Sequence, residues 1–191
     1  MSFHLRRLPH WYPSGKALFL TWHLHGSIPQ HRRCPLQGLT SGKAFVWLDR
    51  LLDRAETGPQ YLRNPELAAA VVRALYFGQE QLNYYQLHAW VVMANHVHVL
   101  LTPKVDPARL MKSIKGFTAR EGNRILGRTG EPFWERETYD HWVRDGEEWT
   151  RIKAYIEKNP VKAGLVERPE DYSWSSAAGT GVEPVGKPVE V

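Results

Sequence analysis

The run Asn95-His96-Val97-His98-Val99-Leu100-Leu101 sets two imidazoles two residues apart inside an apolar stretch. On a strand both rings project from one face, while Val97, Val99 and Leu101 project from the other. Two imidazoles side by side are half of a metal site. A bare His-x-His is equally compatible with strand histidines that face solvent or bond to neighbouring polar groups. A second pair, His23-Leu24-His25, competes for the same job. Gly26 directly after it puts His25 at a strand end or turn, which favours a structural part. With no His-x-His-x-Asp-His, no His-Glu-x-x-His and one cysteine, Cys34, the chain offers neither a hydrolytic zinc signature nor a zinc ribbon or redox pair.

A nucleophile is the other half of such chemistry. From Asp145 to Asn159 the apolar residues Trp149, Ile152 and Ile156 make one helical stripe. Tyr155 and Asn159, four apart, lie about 40° from each other beside it. A phenol and an amide therefore share a face at the edge of a core, either for chemistry or as a packed aromatic with its hydroxyl at the rim. Tyr84, Tyr85, Tyr139 and Tyr172 are the rival phenols, with Tyr139, on the strand expected just before this helix, the strongest.

The charge pattern points to a polyanion. The 191 residues carry 25 Lys plus Arg against 20 Asp plus Glu, a net +5, and the pI is about 9.4. Lys104 to Arg128 holds seven cations against Asp106 and Glu121, an excess as large as that of the whole chain. Arg120, Arg124 and Arg128 repeat at four-residue steps, with Lys112 and Lys115 elsewhere on the same helix. That layout suits phosphates, although a charged helix face is often only a solvated one. Lys112, Lys115, Arg120 and Arg124 are the expected phosphate contacts, and Asn123 is placed to reach a base edge.

The elements that must position these groups follow from periodicity and punctuation. Ala17 to Leu24 reads as a buried strand, and about 28–42, with two prolines and His31-Arg32-Arg33, as an inserted surface loop. Ser41 caps a helix from Lys43 to Ala55. Asn64-Pro65-Glu66 opens a second, ending at Gly78, and the two are expected to share one helical layer. Tyr84 to Ala94 and His96 to Thr102 form a hairpin turning at Ala94-Asn95. Asp106-Pro107 starts a helix to about Leu126, Phe133 to Val143 is a further strand, and Asp145 with Glu148 has capping-box spacing for the last helix, ending near Asn159-Pro160. Residues 1–178 are expected to form one domain and 179–191 a flexible tail. With no signal peptide and no apolar run of about 18 residues, the expected setting is the cytoplasm, without a membrane.

Several motifs in order give the chain a resemblance. They are Val91-Val92-Met93-Ala94-Asn95-His96-Val97-His98-Val99-Leu100-Leu101, Gly130-Glu131-Pro132-Phe133-Trp134, Tyr139-Asp140-His141-Trp142-Val143, Tyr155 to Val166 with its Asn159-Pro160-Val161-Lys162-Ala163-Gly164 core, and Tyr172-Ser173-Trp174-Ser175-Ser176. Together, from about Trp11 to Ser176, they resemble the REP-associated tyrosine transposases, a branch of the single-tyrosine HUH transposases. Ala94 stands where that family commonly has proline.

The resemblance implies an α+β fold, a ferredoxin-like antiparallel sheet with helices packed on it, the histidines on a central strand and the tyrosine on a late helix. It implies that His96 and His98, completed by Asn159, bind a divalent cation, Mg or Mn, and that Tyr155 is the nucleophile. The implied reaction is cleavage and rejoining of single-stranded DNA through a 5′-phosphotyrosine, on a substrate folded into a REP-like hairpin, by a monomer or homodimer. Two alternatives stay open: a non-catalytic binder of structured nucleic acid with the same fold, and a phosphodiesterase using activated water.

Overall fold

A computed structural model of the chain describes residues 15–28, 41–54 and 58–179, with 41–44 given by backbone alone. The expected loop at 28–42 and tail at 179–191, and Cys34, fall almost wholly outside the described residues. The elements run β1 (Leu18–His23), α1 (Ser41–Arg54), a 3-10 turn (Tyr61–Arg63), α2 (Pro65–Glu80), β2 (Tyr85–Val92), β3 (His96–Pro103), α3 (Pro107–Ile125), β4 (Tyr139–Trp142) and α4 (Gly146–Lys162). Two short 3-10 turns follow, Pro169–Asp171 and Ser176–Ala178. No described helix is long and apolar enough to cross a membrane.

The strands form one antiparallel sheet in the order β2-β3-β1-β4, the ferredoxin-like order, so β3 and β1 are central. Register decides what shares a face. Thr21 lies opposite His98 and His23 opposite His96, while Leu18, Leu20 and Trp22 lie opposite Leu101, Val99 and Val97. On one face the apolar set packs on Leu67, Val71 and Leu75 of α2 and Leu110 and Ile114 of α3. On the other, Phe19, Ala89, Val91 and Leu100 pack on Ile156 of α4, with Phe45 of α1 alongside. Both faces are thus covered, which is why every residue of β1, Leu-Phe-Leu-Thr-Trp-His, is buried. At about 25 cal/mol per Å² such double burial supplies the main drive for folding.

Local chemistry fixes the helix starts. Asp106 accepts from Ala108 N and Arg109 N ahead of Pro107, Asn64 accepts from Glu66 N, and Asp145 accepts from Glu148 N. Three expectations change. α1 and α2 do not share a layer: α2 pairs with α3 behind the sheet, and α1 lies on the α4 face. The strand expected over Phe133 to Val143 is confined to Tyr139–Trp142, because Phe133 and Trp134 turn into the core and Trp134 makes only an isolated bridge with Leu24. α4 runs through Pro160 to Lys162, since Ala163 N and Leu165 N bond to the carbonyls of Asn159 and Pro160, and Gly164, at φ +69°, ends the run.

Candidate active site

His96 and His98 are buried on β3, 1 % and 0 % exposed, and their Nε2 atoms face one another at 3.1 Å. Their outer nitrogens are held. Asn95 donates through Nδ2 to the Leu52 carbonyl, so its Oδ1 accepts from His96 Nδ1 at 2.7 Å. With that proton on Nδ1, the Nε2 of neutral His96 carries a lone pair aimed inward. Thr21 Oγ1 lies 2.7 Å from His98 Nδ1. Burial first, then the neighbouring His98, holds His96 well below the usual imidazole range, so it stays neutral.

Two carboxylates that sequence reasoning passed over complete the cluster. Asp49 on α1 brings Oδ1 to 3.2 Å from His98 Nε2, and Asp53, one turn on, brings Oδ1 to 3.8 Å from His96 Nε2. Their other oxygens are bridged by Lys162 Nζ at 2.8 and 2.6 Å. Burial acts to raise the Asp49 carboxyl, but the His98 contact and Lys162 outweigh it, leaving it below the ordinary range. Burial and the charge of Asp49 raise Asp53.

Tyr155 on α4 stands beside this group, its ring centroid 5.5 Å from that of His98 and edge-on to Phe19 and Phe45. Asn159 Nδ2 donates to its hydroxyl at 3.3 Å. The phenol is pushed up by burial, then by the charge and polar contact of Asp49, so it is held protonated. Lys162 Nζ lies 5.4 Å from the ring centroid. Tyr155, Asn159 and Lys162, at i, i+4 and i+7, therefore line one face of α4.

Asp49, His96 and His98 present ligand atoms all within 4.8 Å of one another, the group of that kind among the described residues. The donor set fits a divalent cation. Asp53 Oδ1 and Asn159 Oδ1 are buried acceptors without a hydrogen-bond donor among the described residues, and Asp49 Oδ1 lies beside them at 3.2 Å from His98 Nε2, an arrangement that a divalent cation would stabilise. Two neutral nitrogens with anionic oxygen suit a hard or borderline ion.

The rival motifs are elsewhere in use. His23 is buried at the end of β1 with Nδ1 on the Leu24 carbonyl, and His25 is half exposed beside Glu135. Tyr139, by contrast, is on the same face as the cluster, its ring tilted against that of Phe45 at 4.6 Å between centroids. Of the expected DNA contacts on α3, Lys112, Arg120 and Arg124 are exposed, Arg124 paired with Glu121. Lys115 and Asn123 have structural engagements instead: Lys115 Nζ holds the carbonyls of Glu135 and Arg136, and Asn123, 7 % exposed, gives its amide to the Glu131 carbonyl. Both tie α3 to the segment after it.

Asp49 and Asp53 gave a sequence signal only in their four-residue spacing on a predicted helix; nothing in that helix said which sheet face it covers. Lys162 sits at the right helical phase but lies beyond the proline where the helix was expected to stop.

Known proteins resemble the chain in sequence and in fold. Residues 68–159 match the family model described as transposase, IS200 like. A REP-associated tyrosine transposase of Escherichia coli K12 is 28 % identical over 96 residues, which cover 48 % of this chain and 54 % of that protein. The chain thus spans about half the length of the curated relative it matches. A solved structure of a REP-associated tyrosine transposase bound to a REP hairpin shares the fold, with a TM-score of 0.58 at 20 % identity, covering 100 % of this chain and 95 % of that one.

Proposed function

We propose, from the likeness of residues 68–159 to the family described as transposase, IS200 like, that the chain is a metal-dependent single-strand DNA endonuclease and strand transferase acting through Tyr155. One observation carries the reading: a phenol from α4 and two imidazoles from β3 converge with Asp49 from α1 in one buried cluster.

His96, His98 and Asp49 would hold the cation, with Asn159 Oδ1 as a further oxygen. When bound, the cation, Mg or Mn in this reading, supplies charge that polarises the scissile phosphate and offsets the carboxylates. The rest falls to the chain. Asn95 and Thr21 keep the imidazoles facing inward, and the edge contacts of Phe19 and Phe45 fix the Tyr155 ring. The phenol oxygen bonds to phosphorus, the bond to the 3′ oxygen breaks, and the phenolic hydrogen ends on the released 3′-hydroxyl. The 5′-phosphotyrosine keeps the bond energy, so that a later 3′-hydroxyl can reverse the step without a nucleotide cofactor. The contact of Tyr155 with its own chain's His98 supports a site assembled within one chain.

The partner in this reading is single-stranded DNA folded into a REP-like hairpin, with Lys112, Arg120 and Arg124 exposed for its phosphates. The test is incubation with labelled hairpin DNA, with and without Mn, followed by denaturing electrophoresis. A metal-dependent covalent adduct is expected from the wild type and none from Tyr155→Phe. An undiminished adduct in the variant would overturn the assignment in favour of Tyr139, and salt-sensitive binding with no adduct would mark a non-catalytic binder.

A further inference from the structure

Behind the sheet, on the face away from the histidines, α2, the turn after it and α3 enclose a groove of about 780 Å³. Its floor is apolar, and at its mouth stand Phe77 and Phe117, 55 % and 45 % exposed, two of the four large hydrophobic residues that the described structure leaves exposed. Two exposed rings at the mouth of one apolar groove make a shared apolar patch of the kind that marks a binding surface. Cations surround them. Arg109, Lys112 and Arg120 line the groove from α3 and Arg73 from α2, against a single carboxylate, Glu80. Arg109 already lies over the Tyr84 ring, 5.1 Å from its centroid, which shows the kind of cation and π-face pairing the groove offers.

This combination selects its occupant. The lining carries four cations against one carboxylate, a charge balance that complements a polyanion. Rings and cations together fit a chain that is anionic along its backbone and carries flat π-systems. We propose that this groove extends the DNA-binding face of α3, taking an unpaired, single-stranded segment that continues from the hairpin, its bases stacked on Phe77 and Phe117 beside Lys112 and Arg120.

The inference rests on the reading of the chain as a DNA-processing enzyme for the source of the strand, but not on its chemistry. Because the groove and the Tyr155 cluster are on opposite faces, the strand is gripped behind the sheet and cut in front of it. Replacing Phe77 and Phe117 should therefore alter affinity without removing the covalent step.

The test measures binding of labelled oligothymidylate by fluorescence anisotropy, without metal, over a range of salt. Phe77→Ser with Phe117→Ser should weaken binding about tenfold or more, and Phe77→Tyr with Phe117→Tyr should restore it. Lys112→Gln with Arg120→Gln should lower the salt slope by about 1.4, roughly 0.7 for each lost phosphate contact. All four side chains are exposed, so the core is untouched. Wild-type protein that ignores oligothymidylate, variants that bind it unchanged, or a serine pair whose only effect is on self-association in sedimentation would each overturn the proposal. The covalent adduct of the wild type, assayed separately, reports on the Tyr155 reading: its loss with groove binding intact sinks that reading alone, and its presence with groove binding absent sinks this one alone.

Discussion

Thr21 Oγ1 lies 2.7 Å from His98 Nδ1 across the β1–β3 ladder, where the two residues are register partners. A hydroxyl can donate or accept, so it tolerates either tautomer of His98, whereas Asn95 Oδ1 fixes that of His96. His98 can therefore give up an inward proton to Nδ1 when its Nε2 takes a ligand.

Thr21→Val keeps the shape and removes that option. The expected result is a weaker divalent-cation affinity, about tenfold, with the fold intact. Titration with Mn followed by electron paramagnetic resonance of the free ion checks it.

Asp49→Asn keeps the volume and removes the anionic oxygen nearest His98. Mn affinity should fall at least tenfold in the same titration, and hairpin binding without metal should not change.

Lys162 bridges two carboxylates that otherwise face each other in a buried cluster. Lys162→Met should lower stability by about 1 kcal/mol, a small figure because the ammonium is half exposed. Mn should raise the melting temperature of the variant more than that of the wild type, since a divalent ion offsets the charge the lysine no longer does.

Glu148 anchors the start of α4. Its carboxylate takes Arg144 Nη2 at 2.7 Å, Arg144 N at 2.8 Å and His141 Nε2 at 3.1 Å. The Arg144 guanidinium, against the opposing effect of burial, pulls its pKa down to about 2. A folded value below the unfolded one, about 4.3, means stability that is complete above the unfolded value and lost as pH falls toward the folded one. Glu148→Gln should cost about 1–3 kcal/mol at neutral pH. Its denaturation midpoint should converge with that of the wild type as pH drops from about 4.3 to about 2.

Gly122 on α3 faces the Phe133 ring so closely that an added Cβ would sit 2.4 Å from it. Phe133 is 4 % exposed and has nowhere to retreat. Gly122→Ala should destabilise by about 1–3 kcal/mol in urea melts, although alanine is the better helix former.

Much of this was legible in the residues themselves. Strand alternation put His96 and His98 on one face, helical phase put Tyr155 beside Asn159, and Asp145 with Glu148 marked the start of α4, because each signal is local. What stayed hidden depends on which sheet face a helix covers. The side of the sheet taken by α1 decides whether Asp49 and Asp53 meet the imidazoles, and no period within α1 encodes it. Pro160 misled in a different way: it can stand in the final turn because the carbonyls around it find donors beyond the helix. The carbonyl contacts of Lys115 and Asn123 were not legible, because a cation and an amide on a charged helix look alike whether they face solvent or a neighbouring carbonyl.

The contact between Lys162 and Asp49 joins positions 113 residues apart. A nascent polypeptide still lacking α4 already has His96 and His98, yet neither the phenol nor the ammonium. On the proposed chemistry, synthesis order alone keeps an unfinished or truncated product from nicking the nucleic acid around it.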